Sequence, residues 1–262
     1  MNLESLKKIG TEIDTILRIK TPSMGVVYCT KDTNIPIEKF TVIDHPIPLC
    51  SVSGLSRFFE LNVYISREML LGQCGGVDGF LFNRPGNPQV AEEYKKRHVF
   101  TENEEQAHTF GSMKKHMDKD VTGVAFFPLK DAPMPPDVCQ IWGNPLQTTF
   151  VVYSHAWTLP QVKLTNGGGT DAHGGSCYEG GVIPYLEKRI NLVTLDMGDR
   201  KHGHAGDEET MIAFPLCELE RLHYGMVSTQ NTRHRLPVMY DFESSSFPVK
   251  KEYLERKGPN FA

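Results

Sequence analysis

Met24-Gly-Val-Val-Tyr-Cys-Thr30 decides the fold class. The run is short, apolar and rich in β-branched and aromatic residues, which marks a buried strand. Just before it, Leu3, Leu6, Ile9, Ile13, Ile16 and Leu17 recur among Glu4, Lys7, Lys8, Glu12 and Asp14 with the period of an amphipathic helix. A helix followed by a buried strand opens an α/β chain, and the later segments continue the alternation. Val63 to Leu71, Val121 to Leu129 and Val138 to Trp142 read as strands. Gly54 to Leu61, Pro88 to Arg97, Glu102 to Met117 and Pro145 to Tyr153 read as helices. Thr101 with Glu104 has capping-box spacing, and Pro145 suits a first helical position.

One order of features occurs twice. Cys50, Gly54, an apolar segment, a turn at Gly75 and Phe110 ahead of Met113 and Met117 form the first series. Cys177, Gly181, an apolar segment, a turn at Gly198 and Phe214 ahead of Leu216, Leu219 and Leu222 form the second. The expected fold is therefore α/β (α+β), with two similar, intimately packed halves related by a pseudo-twofold repeat. The first half covers 1–130 with the N-terminal helix, the second 131–225, and a polar extension 226–262.

With 262 residues, 39% of them hydrophobic, the chain can bury a large core. Its formal net charge of -4 comes from dispersed acidic and basic groups, so no basic face points to nucleic acid. No apolar stretch approaches the roughly 20 residues that span a bilayer, and the charged N-terminal helix is unlike a signal peptide. Six widely spaced cysteines do not form the dense framework of a small secreted domain. These features predict a soluble, cytoplasmic protein. No Cys-x-x-Cys pair is present, which excludes a zinc ribbon, a thioredoxin motif and a ferredoxin-type sequence.

Chemistry is expected where cysteines adjoin glycine-rich turns: Cys50 before Gly54, Cys74 before Gly75 and Gly76, and Cys177 in Gly-Gly-Ser-Cys-Tyr-Glu-Gly-Gly. Glycine allows sharp turns and close approach. Three thiolates suit an iron–sulfur cluster or another thiolate-bound metal, with one position left open. His173, His202 and His204 are the candidate fourth ligands or proton donors, and the turn at Gly198 adjoins Arg200. Arg57 and Arg200 suit an anionic substrate or cofactor carboxylate. A haem would be non-covalent, because no Cys-x-x-Cys-His motif exists. Against these roles stand packing of free cysteines as small apolar groups and structural ion pairs for the arginines. Packing is the expected role of Cys29, Cys139 and Cys217. His155 belongs to the same second-half group of histidines, and Gly167 to Gly175 reads as a loop suited to a lid. A metal-free alternative makes Cys177 a nucleophile with His173 as base, opposed by Glu179.

The ordered features also resemble a prokaryotic family, domain of unknown function 169, over about Ile16 to Leu222. The matching stations are Cys50 with Ser56 and Arg57; Cys74, Gly75 and Gly76 with Gly79; Pro128 and Leu129; Pro136 to Val138; Asn144, Pro145 and Gln147; Cys177 with Glu179; Asn191; Gly198 with Arg200; and Glu209 with Pro215. The resemblance implies an α/β cytoplasmic protein with cysteines at three stations and carries no general activity. Ser56 departs from the alanine expected there.

The functional expectation is a cytoplasmic metal- or iron–sulfur-dependent redox protein with a cysteine-lined site between its halves. The alternatives are a non-catalytic small-molecule or tetrapyrrole accessory protein and a cysteine-nucleophile enzyme. A small-molecule substrate and a homo-oligomer are the expected partners.

Overall fold

The computed structural model describes residues 1–74, 77, 80–82, 102–103, 105–106, 115–159, 165–166, 174–232 and 236. Its centre is an eight-stranded sheet in the order β2-β3-β4-β1-β5-β8-β7-β6. The strands are β1 (Met24–Cys29), β2 (Thr41–Ile43), β3 (Val63–Ser66), β4 (Gly123–Pro128), β5 (Val138–Gly143), β6 (Thr165–Asn166), β7 (Asn191–Val193) and β8 (Thr210–Pro215).

Strand alternation gives the sheet two apolar faces. Val27 and Cys29 of β1, Ala125 and Phe127 of β4, Cys139 and Ile141 of β5, and Ile212 and Phe214 of β8 point to one side. There they meet α1 (Leu3–Leu17), α4 (Pro145–Thr158) and α7 (Leu219–Gln230) through Leu6, Ile13, Phe150, Val151, Leu222 and Met226. Met24, Val26 and Tyr28, Val124 and Phe126, Val138 and Trp142, and Met211 and Ala213 point to the other. That side is covered by α2 (Leu49–Phe59), α3 (Arg67–Leu70), a π-helix (Gly175–Val182) running into α5 (Ile183–Glu187), and α6 (Met197–Lys201). The architecture is a three-layer α/β fold.

The pairing scheme of the first four strands recurs in the last four. β2 and β3 are parallel, as are β6 and β7; the remaining pairs are antiparallel. Met24 faces Pro128 as Val138 faces Pro215, and Val63 faces Phe126 as Asn191 faces Ala213. The sets join where β1 pairs with β5, Gly25 facing Cys139. Each parallel pair is connected through a helix that carries a cysteine: Cys50 on α2 and Cys177 on the π-helix.

Several local expectations change. Phe214 lies inside β8 and corresponds in register to Phe127 of β4, not to Phe110, which falls outside the described residues. A Pro-Leu step follows each phenylalanine and turns the chain through a 3-10 segment. The strand over Val63 to Leu71 stops at Ser66, and Arg67–Leu70 is helical. The helix expected from Gly54 begins at Leu49, so Cys50 sits in its first turn. Lys115 to Met117 is not helical, and Pro88 to Arg97 lies outside the described residues. α4 runs to Thr158 and opens with a full capping box of Asn144 and Gln147. α7 continues to Gln230, with Met226 buried. Packing against Ser154 carries the helix past Tyr224: a Cβ at Gly225 would stand 1.9 Å from the Ser154 carbonyl oxygen.

Candidate functional site

Cys50 and Cys177 meet across the covered face of the sheet, their Sγ atoms 4.0 Å apart. Both are half-buried. The glycines around Cys177 let the π-helix lie directly on the strands: a Cβ at Gly181 would come within 2.1 Å of the Tyr28 hydroxyl oxygen. Gln140 of β5 holds the same element from below, its Nε2 donating to the carbonyls of Ser176 at 3.1 Å and Gly180 at 2.8 Å. Asn191 of β7 donates to the Glu179 carbonyl at 2.6 Å.

The front end of the π-helix is held by two carboxylates. Asp196 and Asp199 form the capping box of α6, and Asp196 Oδ2 also accepts the backbone N–H groups of Gly174 at 2.7 Å and Gly175 at 3.0 Å. Asp199 Oδ2 accepts from Ser176 N at 2.8 Å, and the Ser176 hydroxyl donates to its other oxygen. A Cβ at Gly175 would stand 2.2 Å from Asp199 Oδ2, which explains the glycine ahead of Ser176. Burial, with Asp196 nearby, raises the Asp199 carboxyl to about 6.

The same surroundings keep Cys50 protonated. Its hydrogen bond with Cys177 raises its pKa well above the ordinary thiol value, and burial and the charges of Cys177, Asp199 and Asp196 act in the same direction. Tyr28 is likewise raised, first by burial and then by Cys177. A Cβ at Gly198 would lie 3.6 Å from Cys50 Sγ, so the second glycine turn does adjoin the first cysteine.

Cys74 follows α3, half-buried against the apolar cluster that Cys177 also joins. Gly75, Gly76 and His173 lie outside the described residues, as does most of the lid read at Gly167 to Gly175. Gly175 itself belongs to the π-helix. His202 is half-buried at the end of α6, whereas His204 is exposed, has φ 54° and meets Phe58 edge-on at 6.4 Å. His155 does not join them. It lies on α4 in the other layer, 3.2 Å from Arg221 and 3.4 Å from Glu218, and burial, with Arg221 adding to it, lowers its pKa.

Arg57 is only 1% exposed and pairs with Glu209 at 2.9 Å, its guanidinium 3.7 Å above the Trp142 ring. Nε also donates to Thr21 at 3.3 Å. This is the ion-pair alternative for Arg57. Arg200 donates to the Gly206 carbonyl at 2.6 Å, and Gly206 N donates to Glu209, so both arginines converge on one acidic loop. Cys29 and Cys139 pack in the opposite layer, burial pushing Cys29 up to about 12. Cys217 is exposed after β8, contrary to the packing expected for it, in a 3-10 turn none of whose residues is buried.

Sequence reasoning missed Asp196, Tyr28 and Gln140, and it reads Asp199 as an oxygen ligand or acceptor beside His202 and His204, not as a cap. Asp196 and Asp199 carry N-cap and N3 spacing around Gly198, a readable capping signal. Tyr28 and Gln140 carry only strand alternation, so nothing local marked them. Among the described residues, no group of three or more His, Cys, Asp and Glu side chains is arranged to hold a metal ion. No described helix is long and apolar enough to cross a membrane.

The model of the family described as "Uncharacterised ArCR", domain of unknown function 169, matches residues 12–224. The chain belongs to this family. An uncharacterised protein of Methanocaldococcus jannaschii is 22% identical over 221 residues, covering 82% of this chain and 91% of the relative. No solved structure matches the chain. Several of the domain of unknown function 169 stations touch one another in the fold: Cys50 with Cys177, Arg57 with Glu209, and Glu179 with Asn191.

Proposed function

We propose that this chain is a redox protein whose Cys50 and Cys177 form a thiolate pair that holds a metal ion or iron–sulfur cluster at the junction of its two halves. The 4.0 Å separation of the two Sγ atoms carries the reading. Two sulfurs bound to one zinc ion at about 2.3 Å in a tetrahedron lie roughly 3.8 Å apart, so the pair needs little adjustment to share a metal. The electrostatics support the same ligand class. The ionisable groups that raise the Cys50 pKa, Cys177, Asp199 and Asp196, are acidic; a soft cation would displace the thiol protons and supply the opposite charge. The same acidic surroundings disfavour a Cys50 thiolate without a cation.

The residues fit part of a coordination sphere. Cys50 and Cys177 supply two thiolates, which leaves positions for a small-molecule substrate, for sulfide of a cluster, or for Cys74 and His173. Arg57 is committed to Glu209, so an anionic substrate is better assigned to another group. The recurrence of one pairing scheme, with a cysteine helix in each parallel crossover, supports descent of the halves from one duplicated unit. Six widely spaced cysteines suit a reducing compartment better than a secreted disulfide framework, which supports a cytoplasmic site.

Anaerobically purified protein tests this by metal analysis and absorption spectroscopy. Bound metal in the intact protein, lost on Cys50→Ser and on Cys177→Ser but kept on Cys29→Ser, is the expected outcome. Metal retained after both Cys50 and Cys177 are replaced would overturn it.

A further inference from the structure

We propose that Cys50 and Cys177 also form a reversible disulfide when a hydroperoxide reaches them, and that this bond switches off the metal-binding pair. The inference rests on the thiolate site proposed above and adds its regulation.

The geometry allows both states. Bonded sulfurs stand about 2.0 Å apart, so the pair must close by roughly 2 Å. Cys50 occupies the first turn of α2, where Pro48 provides no side-chain cap, and helix ends yield more readily than helix centres. Cys177 lies on a separate element, 127 positions along the chain. Closure would tie α2 to the π-helix, and both sulfurs would then be lost as thiolate ligands. Cys29 and Cys139 are buried in the opposite layer and Cys217 is exposed beyond β8, so these three lie away from the pair.

The chemistry balances with peroxide as oxidant. The Cys177 sulfur attacks the peroxide oxygen as the thiolate, the O–O bond breaks, and the products are a sulfenic acid and an alcohol, or water from hydrogen peroxide, with Cys50 left as the resolving thiol. The second thiol attacks the sulfenic sulfur, forming the S–S bond and releasing water. The two thiols lose two protons and two electrons, and the peroxide gains them. A dithiol reductant reverses the reaction.

The test uses the full chain carrying Cys217→Ser, which removes the exposed thiol. Reduced protein is treated anaerobically with equimolar hydrogen peroxide and mapped by peptide mass spectrometry; zinc binding is measured before and after. The expected result is a Cys50–Cys177 linked peptide lighter by two hydrogens, reversed by dithiothreitol, with zinc bound by the reduced form and lost from the oxidised form. Sulfinic acid at either cysteine without a link, or linkage of either to Cys74, would overturn the switch. Zinc binding by reduced protein that never links leaves the metal site standing and removes the switch. Linkage in a protein that binds neither zinc nor iron when reduced does the opposite: the disulfide stands and the metal reading falls.

Discussion

The two helical layers bury similar strands in different ways. Behind the sheet, α1, α4 and α7 present leucine, isoleucine, valine, methionine and phenylalanine to Val27, Phe127, Ile141 and Phe214. In front, α2, the π-helix and α6 enclose Arg57, Ser53, Gln140, Asn191, Asp199 and Glu209 along with their apolar contacts. Arg57 Nη1, Ser53 Oγ, Gln140 Oε1 and Trp142 Nε1 are buried there without a hydrogen-bond partner. Buried polar groups cost stability unless fully satisfied. The rear layer has such atoms too, His155 Nδ1 and Arg221 Nε, but the front layer holds more of them beside its buried ion pair.

That contrast can be broken by substitution. Glu209→Ala should have the largest effect, about 3–5 kcal/mol of lost stability, because it leaves Arg57 charged and buried. It should also disturb thiol reactivity at Cys50, since Arg57 is on the same helix. Denaturant unfolding together with thiol labelling reads both, and a loss below about 1 kcal/mol would show that water already reaches the pair. Leu222→Ala in the rear layer should cost somewhat less, about 2–4 kcal/mol, and leave the labelling rates of Cys50 and Cys177 in folded protein unchanged. Altered labelling would mean that the layers are coupled through the sheet.

Asp199→Asn should have the smallest effect and should sharpen the comparison through pH. The folded carboxyl titrates near 6, above an ordinary aspartate value of about 3.9, so the folded state binds the extra proton between these values. Its contribution is favourable at the acid end and is lost as pH rises through that window, roughly 2–3 kcal/mol in all. Asparagine can still accept from Ser176 N and donate to the Ser176 hydroxyl. The variant should therefore lose part of the decline in stability between pH 4 and 6, leaving the part from Asp14, whose buried carboxyl is also raised to about 6. An unchanged pH profile would remove Asp199 as its source.

Legibility followed the range of the forces involved. β1 could be read almost to its ends because a buried strand is a continuous apolar run, and the start of α4 because Asn144, Pro145 and Gln147 carry its cap locally. The meeting of Cys50 with Cys177 was legible only as an order of features repeated along the chain. The Arg57–Glu209 pair was not legible, because 152 positions separate its members and either residue alone suits a solvated surface. The π-helix was hidden too: its glycines resemble a loop until Tyr28, Met211 and Asp199 are seen to occupy the space where side chains would be.

The sheet's outermost strands bear on self-association. β2 contributes three residues and β6, as described, two, so each border offers few open backbone groups to a strand from another molecule. At the β2 border this leaves little backbone on which a strand of another molecule could extend the ladder.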